Sequence, residues 1–371
     1  MNVDLDKLAR PFLRGIIPYK PGKPIEQAQR EGRSSQPVIK LASNENPYPP
    51  AARIKQALVE AIESGNRYPE SGAPELTRKL AKAHGVEMEE VFVANGTNEI
   101  LDLLVRAYVD TGENCVFSQL SFLIYDLVCQ QCGVGRVAVP CRDYTHDLPA
   151  MAAAINDKTR IVWICNPNNP TATYNDTRQV EAFLREVPDH TLVVLDEAYH
   201  EFVTAPDYPD SLALRRLQEN LIVLRTFSKF YSLAGLRIGY ALADPRVVGI
   251  LHKMRQPFNV NRLAQAAAMT ALDCRAELSG VISEIVAERQ RMREAILSLG
   301  CTCPASQTNF LFVVPDSFSG DICGRLEEQG IIVRPMAPFG APENSFRVNM
   351  GTPDENTRFM DAIEALLAQD R

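Results

Sequence analysis

At 371 residues and 46% hydrophobic content the chain is longer than one hydrophobic core usually organises, so two cored units are expected. A net charge of −7 sets aside nucleic acid as the main partner, since that needs a basic face, but leaves room for a small anion met by a few well-placed arginines. Nine scattered cysteines, an odd number, suit a reducing compartment better than a disulfide framework and make the cytoplasm the expected location.

The first six residues, Met1 to Asp6, lack the basic and apolar regions of an export signal, and no apolar run approaches the length of a membrane span. A soluble chain with no membrane partner is expected. Residues 1–40 are rich in Pro, Gly and charge, most densely at 17–24, and read as an irregular arm that must lie on something else. Helical stretches are expected at 51–64 and 74–84. Beyond them, short β-branched runs alternate with helix-length segments, with candidate strands at 91–94, 114–118, 135–139, 160–165, 191–195, 221–225 and 236–241.

That alternation predicts an α/β fold, a mainly parallel seven-stranded sheet flanked by helices, and several of the strands are apolar enough to be covered on both faces. A helical tract over 263–299, broken near Gly280, leads to a smaller α+β unit with strands at 310–314, 331–334 and 345–350. The expected division is therefore an arm (1–40) packing with the small domain, a large domain (41–265) and a C-terminal small domain (266–371).

Cys129 and Cys132 have the spacing of half a zinc site, but the next close pair, Cys301 and Cys303, is one residue too tight and no matching histidine pair follows. No metal site is expected. The two cysteines read instead as small packed residues on a helix after Tyr125.

In open α/β sheets ligands collect beyond the carboxyl ends of the strands, so the residues that follow each strand carry the most information. After 160–165 comes the run Asn166, Pro167, Asn168, Asn169, Pro170, Thr171, a rigid turn projecting Asn169. After 191–195 come Asp196 and, three residues on, Tyr199. After 221–225 come Thr226, Ser228 and Lys229, with Arg237 eight residues further on. A lone lysine in this setting is arranged for a Schiff base beside a phosphate, because a desolvated amine is nucleophilic.

These residue types match the needs of a pyridine aldehyde. A carboxylate such as Asp196 keeps a ring nitrogen protonated, and neutral donors such as Asn169 and Tyr199 stabilise a phenolate oxygen. Gly96, Thr97 and Asn98 open a helix whose free N–H groups favour an anion, and Thr226, Ser228 and Arg237 suit the same phosphate. Phe122 offers a face for stacking. Structural readings stand beside these: Lys229 as an ordinary surface lysine, Asp196 as a helix N-cap, Arg237 as a charged strand edge, Phe122 as core, and Tyr19 and Arg334 as surface positions.

With these residues assembled, the chain resembles the fold type I pyridoxal-phosphate aminotransferases, and within them the histidinol-phosphate aminotransferases. The resemblance spans nearly the whole length. It includes residues 19–24, 41–47, 67–70, 166–171, 196–199, 228–240 and 346–353. It implies pyridoxal 5'-phosphate as cofactor, Lys229 as its covalent anchor and the catalytic base, and catalytic roles for Asp196 and Tyr199. It further implies a homodimer in which Tyr68 from the neighbouring subunit joins Gly96, Thr97, Asn98, Thr226, Ser228 and Arg237 on the phosphate. Arg347, Arg334, Tyr19 and Asn169 are implied as substrate contacts, for histidinol phosphate and 2-oxoglutarate. Aromatic amino acid transamination, threonine-phosphate decarboxylation and, less in keeping with an intact lysine and aspartate, a non-catalytic relative remain open. Two positions depart from the family pattern: Ala172 stands where glycine is usual, and Phe122 where tyrosine is common.

Overall fold

A computed structural model describes residues 4–20, 22–31, 36–316 and 318–369. Pro21, inside the expected 17–24 cluster, and the first three residues lie outside the described residues. Twelve strands appear among the described residues: β1 (Ile39–Lys40), β2 (Val91–Ala94), β3 (Asn114–Ser118), β4 (Gly135–Val139), β5 (Thr159–Cys165), β6 (Leu192–Asp196), β7 (Leu221–Thr226), β8 (Gly239–Leu242), β9 (Phe310–Val313), β10 (Ile331–Ile332), β11 (Arg334–Pro335) and β12 (Phe346–Asn349).

The central sheet has seven strands in the order β2-β8-β7-β6-β5-β3-β4, with β8 antiparallel to both neighbours and the remaining pairs parallel. Strand alternation sorts its side chains into two cores. Val162 and Ile164 face one core, with helices Pro74–His84, Thr177–Glu186 and Arg262–Asp273, whereas Ile161 and Trp163 face the other, with helices Thr97–Tyr108, Ile124–Cys132 and Pro245–Met254. Burying each large apolar side chain this way contributes about 1.5–3 kcal/mol relative to exposure, which is why a sheet dressed on both faces needs near-continuous apolar strands. The expected α/β architecture is present.

A third core belongs to the C-terminal part. It is built around the antiparallel sheet β11-β12-β9 and the helices Arg275–Ser298 and Pro353–Gln369, and it takes in Leu41 from the N-terminal side. β1 pairs in parallel with β10, tying the N-terminal region to the same unit.

Several boundaries differ from the sequence expectation. Residues 1–40 are not wholly irregular, because Ile25–Glu31 is a helix and β1 is a strand. The helical tract breaks at Cys274, and Gly280 sits inside the following helix with open space around it. The cause is burial: Ala264, Ala267, Ala268 and Ala271 enter the first core, while Ile285, Met292 and Ile296 enter the third, so the chain must turn between them. The division expected at 265/266 falls within helix Arg262–Asp273.

The run 331–334 is two strands rather than one. Ile331 and Ile332 pair with Ile39 and Lys40, but Arg334 and Pro335 pair with Arg347 and Phe346 in another sheet. At 236–241 only the later part is strand. Leu236 closes a short 3-10 turn and Arg237 takes a left-handed conformation at φ 55°, so Arg237 is not the strand-edge charge that the apolar run suggested.

Candidate active site

The carboxyl ends of β5, β6 and β7 open onto a cavity of about 340 Å³ that the C-terminal unit closes from above. Thirteen of the residues singled out from sequence line it: Tyr19, Thr97, Asn98, Phe122, Asn169, Asp196, Tyr199, Thr226, Ser228, Lys229, Arg237, Arg334 and Arg347.

Lys229 follows β7 by three residues, and its Nζ donates to the Ser43 carbonyl at 3.4 Å and lies 5.8 Å from the centre of the Tyr199 ring. Burial, and next to it the Arg347 guanidinium, brings its ammonium down from the ordinary lysine value to about 8. An amine so placed is neutral in about a tenth of molecules at pH 7, far more than an ordinary lysine, and the neutral form is the nucleophile.

Asp196 ends β6 and is almost fully buried. Its Oδ2 accepts from the Tyr125 hydroxyl at 2.9 Å and its Oδ1 from the Ala198 N–H at 3.2 Å. Burial pushes its carboxyl up to about 6, partly offset by the Tyr125 hydrogen bond. It caps no helix: the next element is the short 3-10 turn His200–Phe202, whose cap position is Tyr199. A carboxylate so desolvated gains most from a cationic partner, as a protonated ring nitrogen would be.

Tyr199 is buried edge-on against Phe310, and its hydroxyl accepts from Asn44 Nδ2 at 2.8 Å. Burial raises its phenol well above the ordinary tyrosine value, so it stays a neutral donor. Asn169 accepts a short hydrogen bond from Arg347 Nη1, while Arg347 Nη2 donates to the Ala42 carbonyl at 2.8 Å. Burial lowers the Arg347 guanidinium to about 10, and its Nε is buried without a protein partner.

An anion cradle stands at one end of the cavity. Helix Thr97–Tyr108 begins there with Gly96 in the cap position at φ 78°, and a Cβ at Gly96 would meet Arg237 Nη2 at 2.5 Å. A Cβ at Gly239 would meet the Thr97 backbone nitrogen at 3.0 Å, so glycine there lets the helix start approach β8. Arg237 Nη1 reaches Ser228 Oγ at 3.5 Å, and the Ser228 N–H donates to Thr226 Oγ1 at 3.1 Å. Free N–H groups, hydroxyls and a guanidinium converge as a phosphate requires.

At the other end β11 and β12 place Arg334 and Arg347 as direct cross-strand partners, so both guanidinium groups lie on one face. Arg334 stacks 4.9 Å over the Phe339 ring and 5.9 Å over that of Tyr19, and donates to the Lys20 carbonyl at 2.9 Å. Phe122 lies edge-on to Tyr125 with one side open to the cavity.

Tyr68 is not brought to this cavity. It is 78% exposed and stacks on Phe258 at 4.6 Å on the outside of the chain. The turn at Ala172 does form without glycine: Ala172 itself takes φ 65°, at a cost of about 1–2 kcal/mol, and is held by Asn168 and Gln307 backbone contacts. Sequence reasoning gave no role to Asn44, Glu45, Cys165 or Tyr125. The first three line the cavity and the last holds Asp196. A polar Asn-Glu-Asn run ahead of Pro47 and a tyrosine one helical turn after Phe122 were the available signals.

Residues 36–363 match the family model for aminotransferase class I and II. The chain is 42% identical over 370 residues to histidinol-phosphate aminotransferase 2 of Pseudomonas fluorescens, covering all of both chains. It is 43% identical over 361 residues to histidinol-phosphate aminotransferase of Moorella thermoacetica, covering 97% of this chain and 93% of that one. Among solved structures it is similar to histidinol-phosphate aminotransferase from Sinorhizobium meliloti in complex with pyridoxal-5'-phosphate, with a TM-score of 0.86, 28% identity and 97% of each chain covered.

Proposed function

The chain belongs to the class I and II aminotransferases, and from that membership we propose that it interconverts histidinol phosphate plus 2-oxoglutarate with imidazole-acetol phosphate plus glutamate, in histidine biosynthesis. The cofactor of such an enzyme is pyridoxal 5'-phosphate. The residues present fit it: the cavity sets a low-pKa lysine beside a buried carboxylate, and Gly96 leaves open the anion cradle that a Cβ would fill.

In this reading Thr97, Asn98, Thr226, Ser228 and Arg237 hold the cofactor phosphate around Gly96. Asp196 would serve the ring nitrogen, Asn169 and Tyr199 the ring oxygen, and Phe122 the ring face. Bound there, the cofactor supplies an electron sink for the pair left at the substrate α-carbon. Lys229 would hold it, and the Lys229 Nζ would carry the proton from the substrate α-carbon. Arg347 and Arg334, steadied by Tyr19, bind the anionic end of each substrate in turn, and ping-pong kinetics follow from one site serving both.

The observation that carries this reading is the cross-strand pair Arg334–Arg347 in the same cavity as Lys229, which supplies two guanidinium groups for a phosphate beside a nucleophilic amine. Full-length identity to relatives of that name favours histidinol phosphate over aromatic amino acids and over threonine-phosphate decarboxylation. Glutamate-dependent amination of imidazole-acetol phosphate, run beside phenylalanine and threonine phosphate, tests it. Faster turnover of either rival, or release of carbon dioxide, would refute it.

We further read the active unit as a homodimer. Tyr68, exposed and stacked on Phe258, then belongs to the neighbouring subunit's phosphate site, and exposed Val59 and Ile62 add apolar surface. Nine cysteines, an odd number scattered along the chain, favour the cytoplasm. The change of core at Cys274 serves as the working boundary between the two units.

A further inference from the structure

Asn44 stands in the loop after β1 at φ 53°, a left-handed conformation that asparagine tolerates better than most residues. It is 1% exposed and bonded on three sides. Its N–H donates to Asn349 Oδ1 at 3.1 Å, its carbonyl accepts from Asn309 Nδ2 at 3.1 Å, and its own Nδ2 donates to the Tyr199 hydroxyl at 2.8 Å. Asn309 and Asn349 are buried too, and they come from the C-terminal unit. Three buried amides thus tie the small unit to one phenol on the floor of the cavity.

A phenol has one proton to give. With the Asn44 amide donating into the Tyr199 oxygen, that proton must point elsewhere, and the cavity lies beside it. We propose that Asn44 is a positioning residue that directs the Tyr199 hydroxyl proton at the cofactor's ring oxygen, and that Asn309 and Asn349 hold it in place to do so. The proposal rests on the placement of Tyr199 beside that oxygen given under Proposed function. Arg347, Asp196, Cys165 and Lys229 also face Tyr199, and none of them changes in the variants below.

A ring oxygen that receives this hydrogen bond is stabilised as an anion, so the bound cofactor sheds its proton at lower pH than it would without the donor. The test is a spectrophotometric pH titration of the holoenzyme, following the cofactor's visible absorbance, in wild type, Asn44→Gly, Asn44→Asp, Tyr199→Phe and the Tyr199→Phe/Asn44→Gly double variant. Glycine keeps the left-handed backbone and removes only the amide. The expected result is an upward shift of the transition by about 0.5–1 pH unit in Asn44→Gly. Asn44→Asp, which can only accept and so draws the phenolic proton to itself, shifts it further. In the Tyr199→Phe background, Asn44→Gly adds nothing.

An unchanged transition in Asn44→Gly, with Tyr199→Phe shifted, would overturn the proposal while leaving Tyr199 at the cofactor. So would equal shifts from Asn44→Gly in the two backgrounds, or a loss of melting temperature without a spectral change. An unshifted Tyr199→Phe would instead overturn the placement of Tyr199 on which the proposal depends.

Discussion

Glu197 and Arg225 form a buried ion pair, Arg225 Nη2 to Glu197 Oε2 at 2.9 Å, with Ser211 Oγ donating to the same oxygen at 2.8 Å. Each is the immediate neighbour of a cavity residue. Glu197 follows Asp196 and Arg225 precedes Thr226, so the pair locks together the ends of β6 and β7 from which the site is built. A buried pair of this kind need not stabilise the fold more than apolar residues would, but breaking it strands a charge.

Glu197→Ala is therefore expected to destabilise the protein by about 3–5 kcal/mol, because the Arg225 guanidinium would be left buried without its carboxylate. Urea denaturation of the apoprotein measures this. A loss under about 1 kcal/mol would mean that water reaches Arg225 and that the pair does not secure the strand ends.

Gly96→Ala should fold and yet bind pyridoxal phosphate poorly. The new methyl meets Arg237 Nη2 and pushes that guanidinium off the phosphate, and losing one charge-assisted contact of about 1.5 kcal/mol gives roughly a tenfold rise in Kd. Equilibrium dialysis of the cofactor against the apoprotein checks it. Unchanged affinity would place the phosphate elsewhere.

The lowered Lys229 value has two consequences with opposite readouts. Capture of pyridoxal phosphate by the apoprotein should accelerate as pH rises through about 8, well below ordinary lysine, and Arg347→Gln should move that rise upward by removing a neighbouring cation. In stability the sign follows from proton counts. Between about 8 and 10.5 the unfolded chain holds a proton on Lys229 that the folded chain has lost, so apoprotein stability gains with pH across that window and Lys229 opposes folding below it. Lys229→Met apoprotein should accordingly melt higher than wild type at pH 7. A capture rate flat from pH 7 to 9, or a lower melting point for Lys229→Met, would contradict the placement of this amine.

The helix starts, the alternation of β and α and the residues just past β5, β6 and β7 were legible because each is a local signal. Pro74, Gly96 and the apolar runs mark their own boundaries. Where the expectation failed, a distant partner decided. The run from Leu236 to Ala241 is apolar apart from Arg237, but Arg237 turns out of the strand to reach Ser228 and the helix start at Gly96. Gly280 looked like a helix breaker, yet a glycine in open space on a helix costs only about 1 kcal/mol, and the break came where the helical face changes cores. Asn44 could not be assigned a role from the sequence because its partners, Tyr199, Asn309 and Asn349, lie more than 150 residues away.

The most direct measurement is borohydride reduction of the holoenzyme, followed by peptide mass spectrometry and a parallel assay of Lys229→Ala. A single cofactor adduct on Lys229, with the alanine variant still binding cofactor but failing to transaminate, is the expected result. An adduct on another lysine, or normal turnover by Lys229→Ala, would contradict the assignment of Lys229 and with it the chemistry built around this cavity.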